Sequence, residues 1–320
     1  MEVSMKECCE KLRKMENTVI LCHRNPDGDT LGSAFALYYM FKYLGKRSRV
    51  ECHDGLPKRY SFMFPDYVPE DFEPEYVVAV DIADEQLFGE SLDKYRGKVD
   101  LCIDHHDTNK HYAKDWYVNA EAAANAENME EVCYGLSVPL SKEIANCIYT
   151  GVSTDTGCFC YSNTTSKSHE AAKRMFEAGC DFGRINRLMF EVKSQSRIAI
   201  EKEVLNTVEY HFDRKCALIY ITKDMMNRTG ALEAELEGMA AMPRQIEGVE
   251  VGIMIRERDE DYKISLRTGE EIDASEVCGR LGGGGHKRAS GCNISGSLDD
   301  AKAAILAEVG KSMGYAEDLR

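Results

Sequence analysis

Short β-branched runs alternate with longer amphipathic stretches through the first half of the chain. Segments 18–23, 48–52, 76–82 and 99–103 are apolar, bounded by turn residues, and read as strands. Between the first two, 30–44 sets Leu31, Ala34, Leu37, Tyr38 and Phe41 at helical spacing and stops before Gly45, with Asp29 where an N-cap belongs. Further helices are predicted at 120–132, 142–149, 168–178 and 183–190. The alternation predicts βαβ units around a parallel sheet.

The second half changes character. Over 193–208, Ile198, Ile200, Val204, Leu205 and Val208 lie among polar positions without Gly or Pro, which predicts a linking helix. Strands follow at 217–222, 249–256 and 262–267, then a helix at 273–281, a glycine run at 282–285 and a last helix from 298 to about 313. The expected organisation is a first domain over 1–190, a linker helix over 191–208 and a smaller domain over 209–320. No internal repeat is visible.

Composition narrows the compartment. The hydrophobic content of 43 % can fill a core in each of two domains, and 30 % charged residues suit a soluble chain. The opening fourteen residues lack the apolar core of a signal peptide, and no segment approaches the ~18 apolar residues of a membrane span. Thirteen cysteines, an odd number with no Cys-x-x-Cys pair, disfavour a disulfide framework or a zinc ribbon. They read as small buried residues in a reducing cytoplasm, Cys158 and Cys160 being the closest pair with any redox potential. The 40 basic and 55 acidic residues give a net charge of −15, which repels long polyanions. A phosphorylated partner therefore needs local compensation.

Candidate chemistry collects at the carboxyl ends of the predicted strands, where open parallel sheets form their ligand crevice. His23, Asp27 and Asp29 follow the first strand, Asp81 closes the third, and Asp104, His105 and His106 close the fourth. Asp155, in Thr154-Asp155-Thr156-Gly157, follows a predicted helix and can approach the same crevice. An isolated Asp-Gly-Asp is usually a turn or a cap. Several carboxylates in one crevice cannot stay ionised unpaired, and divalent cations resolve the repulsion. Imidazole with carboxylate suits Mn²⁺ or Mg²⁺, and also Co²⁺ or Zn²⁺, as two ions about 3.5–4 Å apart.

His23-Arg24-Asn25-Pro26-Asp27-Gly28-Asp29, Val80-Asp81, Asp104-His105-His106 and Thr154-Asp155-Thr156-Gly157 together resemble the four ordered motifs of the DHH phosphoesterases. The resemblance implies an α/β fold in which a DHH domain with a mainly parallel sheet is joined to a smaller DHHA1 domain with a mixed sheet. It implies that His23, Asp27 and Asp81 hold one ion, that Asp29, Asp81, His105 and Asp155 hold the other, and that Asp81 bridges them. By the same resemblance Asp104 supports a metal-bound imidazole and His106 faces the scissile phosphate. Two divalent ions, Mn²⁺ before Mg²⁺ or Co²⁺, are the implied cofactors.

Gly282-Gly283-Gly284-Gly285-His286-Lys287-Arg288 contains no acid, and its glycines let backbone N–H groups approach an anion. It does not fit a P-loop, because no Ser or Thr follows Lys287. It resembles the DHHA1 substrate loop, which implies substrate contacts from Gly283, Gly284, Gly285 and His286, with Arg267 at a strand end and Arg288 behind the run. Residues 280–288 form a basic clamp on this reading. The resemblance spans most of the chain and is narrowest to the NrnA-type nanoRNases of the family. It implies hydrolysis of short RNA or linear dinucleotides to mononucleotides, with 3′-phosphoadenosine 5′-phosphate as a further substrate. The expected partners are a short RNA or dinucleotide and a second copy of the chain as a homodimer, with neither long duplex nor membrane. Alternatives left open are a cyclic-dinucleotide phosphodiesterase, a pyrophosphate or polyphosphate hydrolase, and a nucleotide-binding regulator without turnover.

Overall fold

The computed structural model describes residues 1–315, which fall into two compact units, Met1–Val192 and a second that begins at Lys193. The first unit opens with helix α1 (Met5–Leu12), which the sequence reading passes over. Ser4 and Glu7 close a reciprocal capping box there, and Cys8, Cys9 and Leu12 are buried. Strand β1 (Thr18–Leu21), helix α2 (Gly28–Tyr43), β2 (Ser48–Glu51), β3 (Tyr76–Val80), β4 (Leu101–Asp104) and β5 (Asp115–Val118) follow. All five strands are parallel, in the order β2-β1-β3-β4-β5. The chain reverses direction across the sheet between β1 and β3. A crevice therefore opens at their carboxyl ends, the place where such sheets bind ligands.

Alternation along the strands feeds two apolar layers. Ile20, Val78, Val80, Leu101 and Ile103 face the helical layer, whereas Val19, Leu21, Val77, Ala79 and Cys102 pack on Phe88, Leu92 and Tyr95 behind the sheet. The helical layer holds α3 (Asn125–Gly135), α4 (Lys142–Asp155), α5 (Ser166–Glu177) and α6 (Phe182–Asn186). Several boundaries differ from the sequence reading. The N-cap of α2 is Asp27, whose carboxylate accepts from Asp29 and Thr30 N–H, so Asp29 is free to point elsewhere. Helix α4 runs on to Asp155, with the Thr154 and Thr156 hydroxyls donating to carbonyls one turn back, and Asp155 ends that helix rather than following it. Segment 183–190 is α6 followed by a π-helical turn, Arg187–Glu191.

In the second unit, α7 (Gln195–Leu205) buries Ile200 and Val204 against Ile219, Ile221 and Met225. Helix α7 lies within the segment expected to link the two domains, 191–208. Strands β6 (Glu209–His211) and β7 (Cys216–Ile221), helix α8 (Lys223–Thr229), β8 (Val251–Glu257), β9 (Tyr262–Thr268), helix α9 (Ala274–Gly279), β10 (Gly284–His286), β11 (Ala289–Ile294) and α10 (Leu298–Ser312) complete it. The sheet is mixed, in the order β10-β11-β9-β8-β7-β6, with only β7 and β8 parallel. The glycine run is not a free loop: Gly284, Gly285 and His286 pair with Gly291, Ser290 and Ala289 as an edge hairpin. All thirteen cysteines are free thiols, and among the described residues no helix is long and apolar enough to cross a membrane.

Candidate metal centre

Four segments deliver side chains to the crevice. His23 leaves the end of β1, Asp81 leaves β3, the pair His105 and His106 leaves β4, and Asp155 closes α4. Asp27 and Asp29 belong to the same segment as His23, at the start of α2. These groups form overlapping clusters: His23 with Asp27 and Asp81, Asp29 with His105 and Asp155, and Asp81 with His105 and His106. Asp81 is common to two of them. His105 Nε2 stands 3.4 Å from Asp81 Oδ1, 3.6 Å from Asp155 Oδ2 and 3.7 Å from Asp29 Oδ2. His23 Nε2 stands 3.7 Å from Asp27 Oδ1 and 3.8 Å from Asp81 Oδ2. These separations are longer than ordinary direct hydrogen bonds.

The backbone holds each group in place. His23 Nδ1 meets the Arg24 carbonyl at 2.8 Å and His105 Nδ1 meets the Ala122 carbonyl at 3.1 Å. A neutral ring that donates through Nδ1 turns the lone pair of Nε2 toward the carboxylates, as a metal-ligating imidazole must. Asp29 is locked by the first turn of α3, since Asn125 and Ala126 N–H donate to its two oxygens at 2.6 and 2.8 Å. A side chain at Gly151 would lie 2.7 Å from Asp29 Oδ1, so glycine there leaves room for the carboxylate. Asp81 adopts a left-handed backbone (φ 57°), is 3 % exposed, and leaves Oδ1 buried without a hydrogen-bond partner. Such a group is costly unless a cation meets it.

Electrostatics states the same problem. Burial and the neighbouring Asp155 push the Asp29 carboxyl up to about 7. Asp81 is driven well above the carboxylate range by burial and by Asp29 and Asp27, and Asp155 is raised by burial. For His105 burial opposes the charged ring, but Asp29, the Ala122 carbonyl and Asp155 outweigh it and raise its pKa. Without metal the site takes up protons, and a divalent cation is what its donors fit: oxygens and neutral imidazoles, with no thiolate.

Behind these groups lies a network around Asp104 and His106, of which Asn109 and Asn128 are absent from the sequence reading. His106 Nδ1 meets Asp104 Oδ1 at 2.8 Å, which raises the His106 pKa, while Asn109 donates to Asp104 Oδ2 at 2.6 Å. Burial works against the Asp104 anion, but His106, Asn109 and the His105 N–H hold its pKa down. Asn128 donates to the Asp104 carbonyl at 3.2 Å and to Asn125 Oδ1 at 3.0 Å. Asn109 follows His106 by three positions in a turn, so its spacing was a usable signal. Asn128 carries no such mark.

The residues expected to touch substrate in the second unit are described within that unit. Gly284, Gly285 and His286 are exposed on β10. Arg267 sits on β9, half-buried with its pKa lowered by desolvation, and its guanidinium donates to the Leu266 carbonyl at 2.9 Å. Arg288 donates to the carbonyls of Gly269 and Ile272. Arg280 corrects the clamp expected over 280–288: it is bound to Glu308 at 2.6 Å and to Ser312, because α9 turns it toward α10.

Comparison with known proteins agrees with this architecture. Residues 17–152 match the DHH family, N-terminal domain, and residues 217–313 match the DHHA1 domain. A bifunctional oligoribonuclease and PAP phosphatase NrnA of Thermus thermophilus is 30 % identical over 315 residues, covering 95 % of this chain and 93 % of the relative. A probable enzyme of the same name from Streptococcus mutans is 27 % identical over 297 residues, covering 91 % and 93 %. A crystal structure of an exopolyphosphatase-related protein from Bacteroides fragilis superposes with a TM-score of 0.85 at 24 % identity, covering 98 % of each chain, and shares the fold. With both domain matches in order and a relative of this identity aligned almost end to end, the chain belongs to the DHH/DHHA1 family of phosphoesterases.

Proposed function

We propose that this protein hydrolyses short oligoribonucleotides and linear dinucleotides, such as pApA, to mononucleotides, and removes phosphate from 3′-phosphoadenosine 5′-phosphate. The observation that carries the reading is the buried Asp81 Oδ1, unpartnered among ligand-type groups from four segments. The names of the relatives from Thermus and Streptococcus support the substrate class. On this reading His23, Asp27 and Asp81 hold one divalent ion, Asp29, Asp81, His105 and Asp155 hold a second, and Mn²⁺ is the preferred metal.

Bound cations would supply charge neutralisation and Lewis-acid polarisation of the phosphoryl group. The remaining work falls to the chain. Asp104 keeps a proton on His106 Nδ1, and the raised pKa of His106 favours the doubly protonated ring, whose Nε2–H can donate to a phosphoryl oxygen as charge develops there. Asn109 and the His105 N–H hold Asp104 in that pose. In the second unit, Gly283, Gly284, Gly285, His286, Arg267 and Arg288 bind the nucleotide end. Domain limits of 1–190 and 209–320 with a helix between them, and a cytoplasmic site of action, belong to the same proposal.

The test is a purified sample with Mn²⁺ assayed on two- to four-nucleotide RNA, pApA, 3′-phosphoadenosine 5′-phosphate, a cyclic dinucleotide, pyrophosphate and a long single strand, with Asp81→Asn as control. Short RNA and pApA should be the best substrates. Pyrophosphate as the best substrate, or full activity in Asp81→Asn, overturns the proposal.

A further inference from the structure

The segment just beyond Asp155 is folded back on itself. Gly157, Cys158 and Phe159 are three successive left-handed residues, with φ of 56°, 55° and 65°. They turn the chain so that Tyr161 N–H reaches the Thr156 carbonyl at 2.9 Å and Thr164 N–H reaches the Tyr161 carbonyl at 3.1 Å. Asn163 ties the turn to the centre, donating to the carbonyls of Asp155 at 3.2 Å and Ala123 at 3.1 Å. Non-glycine residues in this conformation persist only where their surroundings hold them, and such strain gathers at functional sites.

The turn lays the ring of Tyr161 over Gly157. A Cβ built on Gly157 would lie 2.4–2.6 Å from Tyr161 Cζ, Cε1 and Cε2 as its nearest atoms. The phenolic oxygen is farther than these, so the ring meets Gly157 by its face and not by its tip. Only glycine admits that approach. Tyr161 is nevertheless 63 % exposed, which leaves the opposite face to solvent. Among the described residues its ring has no aromatic or cationic partner, unlike the exposed Phe176 and Phe182, which pack on each other. The outcome is a flat aromatic surface, fixed at its base, six residues from a ligand-type carboxylate.

We propose that Tyr161 is a stacking platform for one nucleobase of the substrate, making it a specificity-determining residue. The inference rests on the functional reading above, since only a substrate with a base beside the scissile phosphate needs such a surface. Stacking is tolerant of sequence, because every base offers a π-face, and its loss typically weakens binding by about tenfold or more. A platform held by its own turn orders no further side chain when the base arrives. It would let the protein separate nucleotides from inorganic phosphates of equal charge.

The experiment compares wild type, Tyr161→Phe and Tyr161→Leu on a two-nucleotide RNA and on the same phosphodiester with both bases removed. Binding of adenosine 5′-monophosphate and of ribose 5-phosphate is followed by calorimetry, and thermal unfolding reports the fold. The expected result is that Tyr161→Leu raises KM for the RNA about tenfold, changes kcat less than twofold, leaves the abasic substrate unaffected and weakens only the base-bearing monophosphate. Tyr161→Phe should behave as wild type. Equal losses on both substrates, or no loss, overturn the platform while leaving the hydrolase reading intact. If wild type fails to cleave the RNA but binds the base-bearing monophosphate through Tyr161, the hydrolase reading falls and the platform stands. Neither cleavage nor base-dependent binding removes both.

Discussion

Asp81 and His286 stand at opposite extremes of this chain. Asp81 is 3 % exposed, carries a left-handed backbone and lies among six other ligand-type groups. His286 lies on a three-residue edge strand with every residue exposed. The first region places its side chains rigidly and leaves them electrostatically incomplete. The second offers mostly backbone, already satisfied on one side by the pairing of β10 with β11. Changes in the first region should therefore alter charge, metal affinity and rate together, whereas changes in the second should alter only how tightly substrate is held.

The largest test of that contrast is Asp81→Asn, which keeps the shape and tolerates the left-handed backbone. It should lower hydrolysis by roughly a thousandfold, the equivalent of several kcal/mol of lost cation-borne stabilisation, with Mn²⁺ binding weakened in parallel by calorimetry. Next in size is Asn109→Ala, which frees one oxygen of Asp104. A loss of about 10- to 100-fold in kcat is expected, with KM for substrate little changed. His286→Ala should do the reverse, raising KM about tenfold while Mn²⁺ affinity stays at the wild-type value. If His286→Ala weakens Mn²⁺ binding, the two regions are not separable in the way described.

A pH series sharpens the same comparison. The carboxyl of Asp29 has an ordinary value of 3.8 and sits near 7 in the folded chain, so between these values the folded state binds more protons than the unfolded state. Stability of the metal-free protein should then fall as pH rises through that window. The raised pKa of His105 acts in the same direction. Cations displace those protons, so Mn²⁺ should raise the melting temperature most at the alkaline end and least near pH 4. Thermal scans in chelator and in excess Mn²⁺ check this. The smallest effect is expected at Arg280→Ala, where KM should stay within about twofold because Glu308 and Ser312 already occupy the guanidinium.

The strands that matter most for the centre were legible because a parallel sheet marks them twice, by apolar runs and by polar residues at their ends. His23, Asp81, His105 and His106 could be placed together on that rule alone. Asp29 was placed at the cap of α2 as well as among the ion ligands, and the cap is Asp27: the two have the same chemistry and only packing against α3 decides which one turns inward. Strand β5 escaped notice because its four residues begin with Asp115, a charge that pairs with Lys11 of α1. The hairpin of β10 was hidden for another reason: glycine has little strand propensity, and here register with β11 overrides it. Asn128 reads as an ordinary helix residue, because its amide reveals its role only through its partners, whereas Asn109 was marked by its spacing from His106.

The centre draws on residues from His23 to Asp155, and Asp155 closes the last helix to contribute. During synthesis, β1, β3 and β4 emerge well before the final ligand, and their crevice is incomplete until α4 has followed. Early chains thus offer only part of the His and Asp set, and a tightly bound ion would have to await the packing of α4 on α2. Loading would in this sense be a late event that reports a finished first unit, and a bound ion would then slow unfolding more than it guides folding.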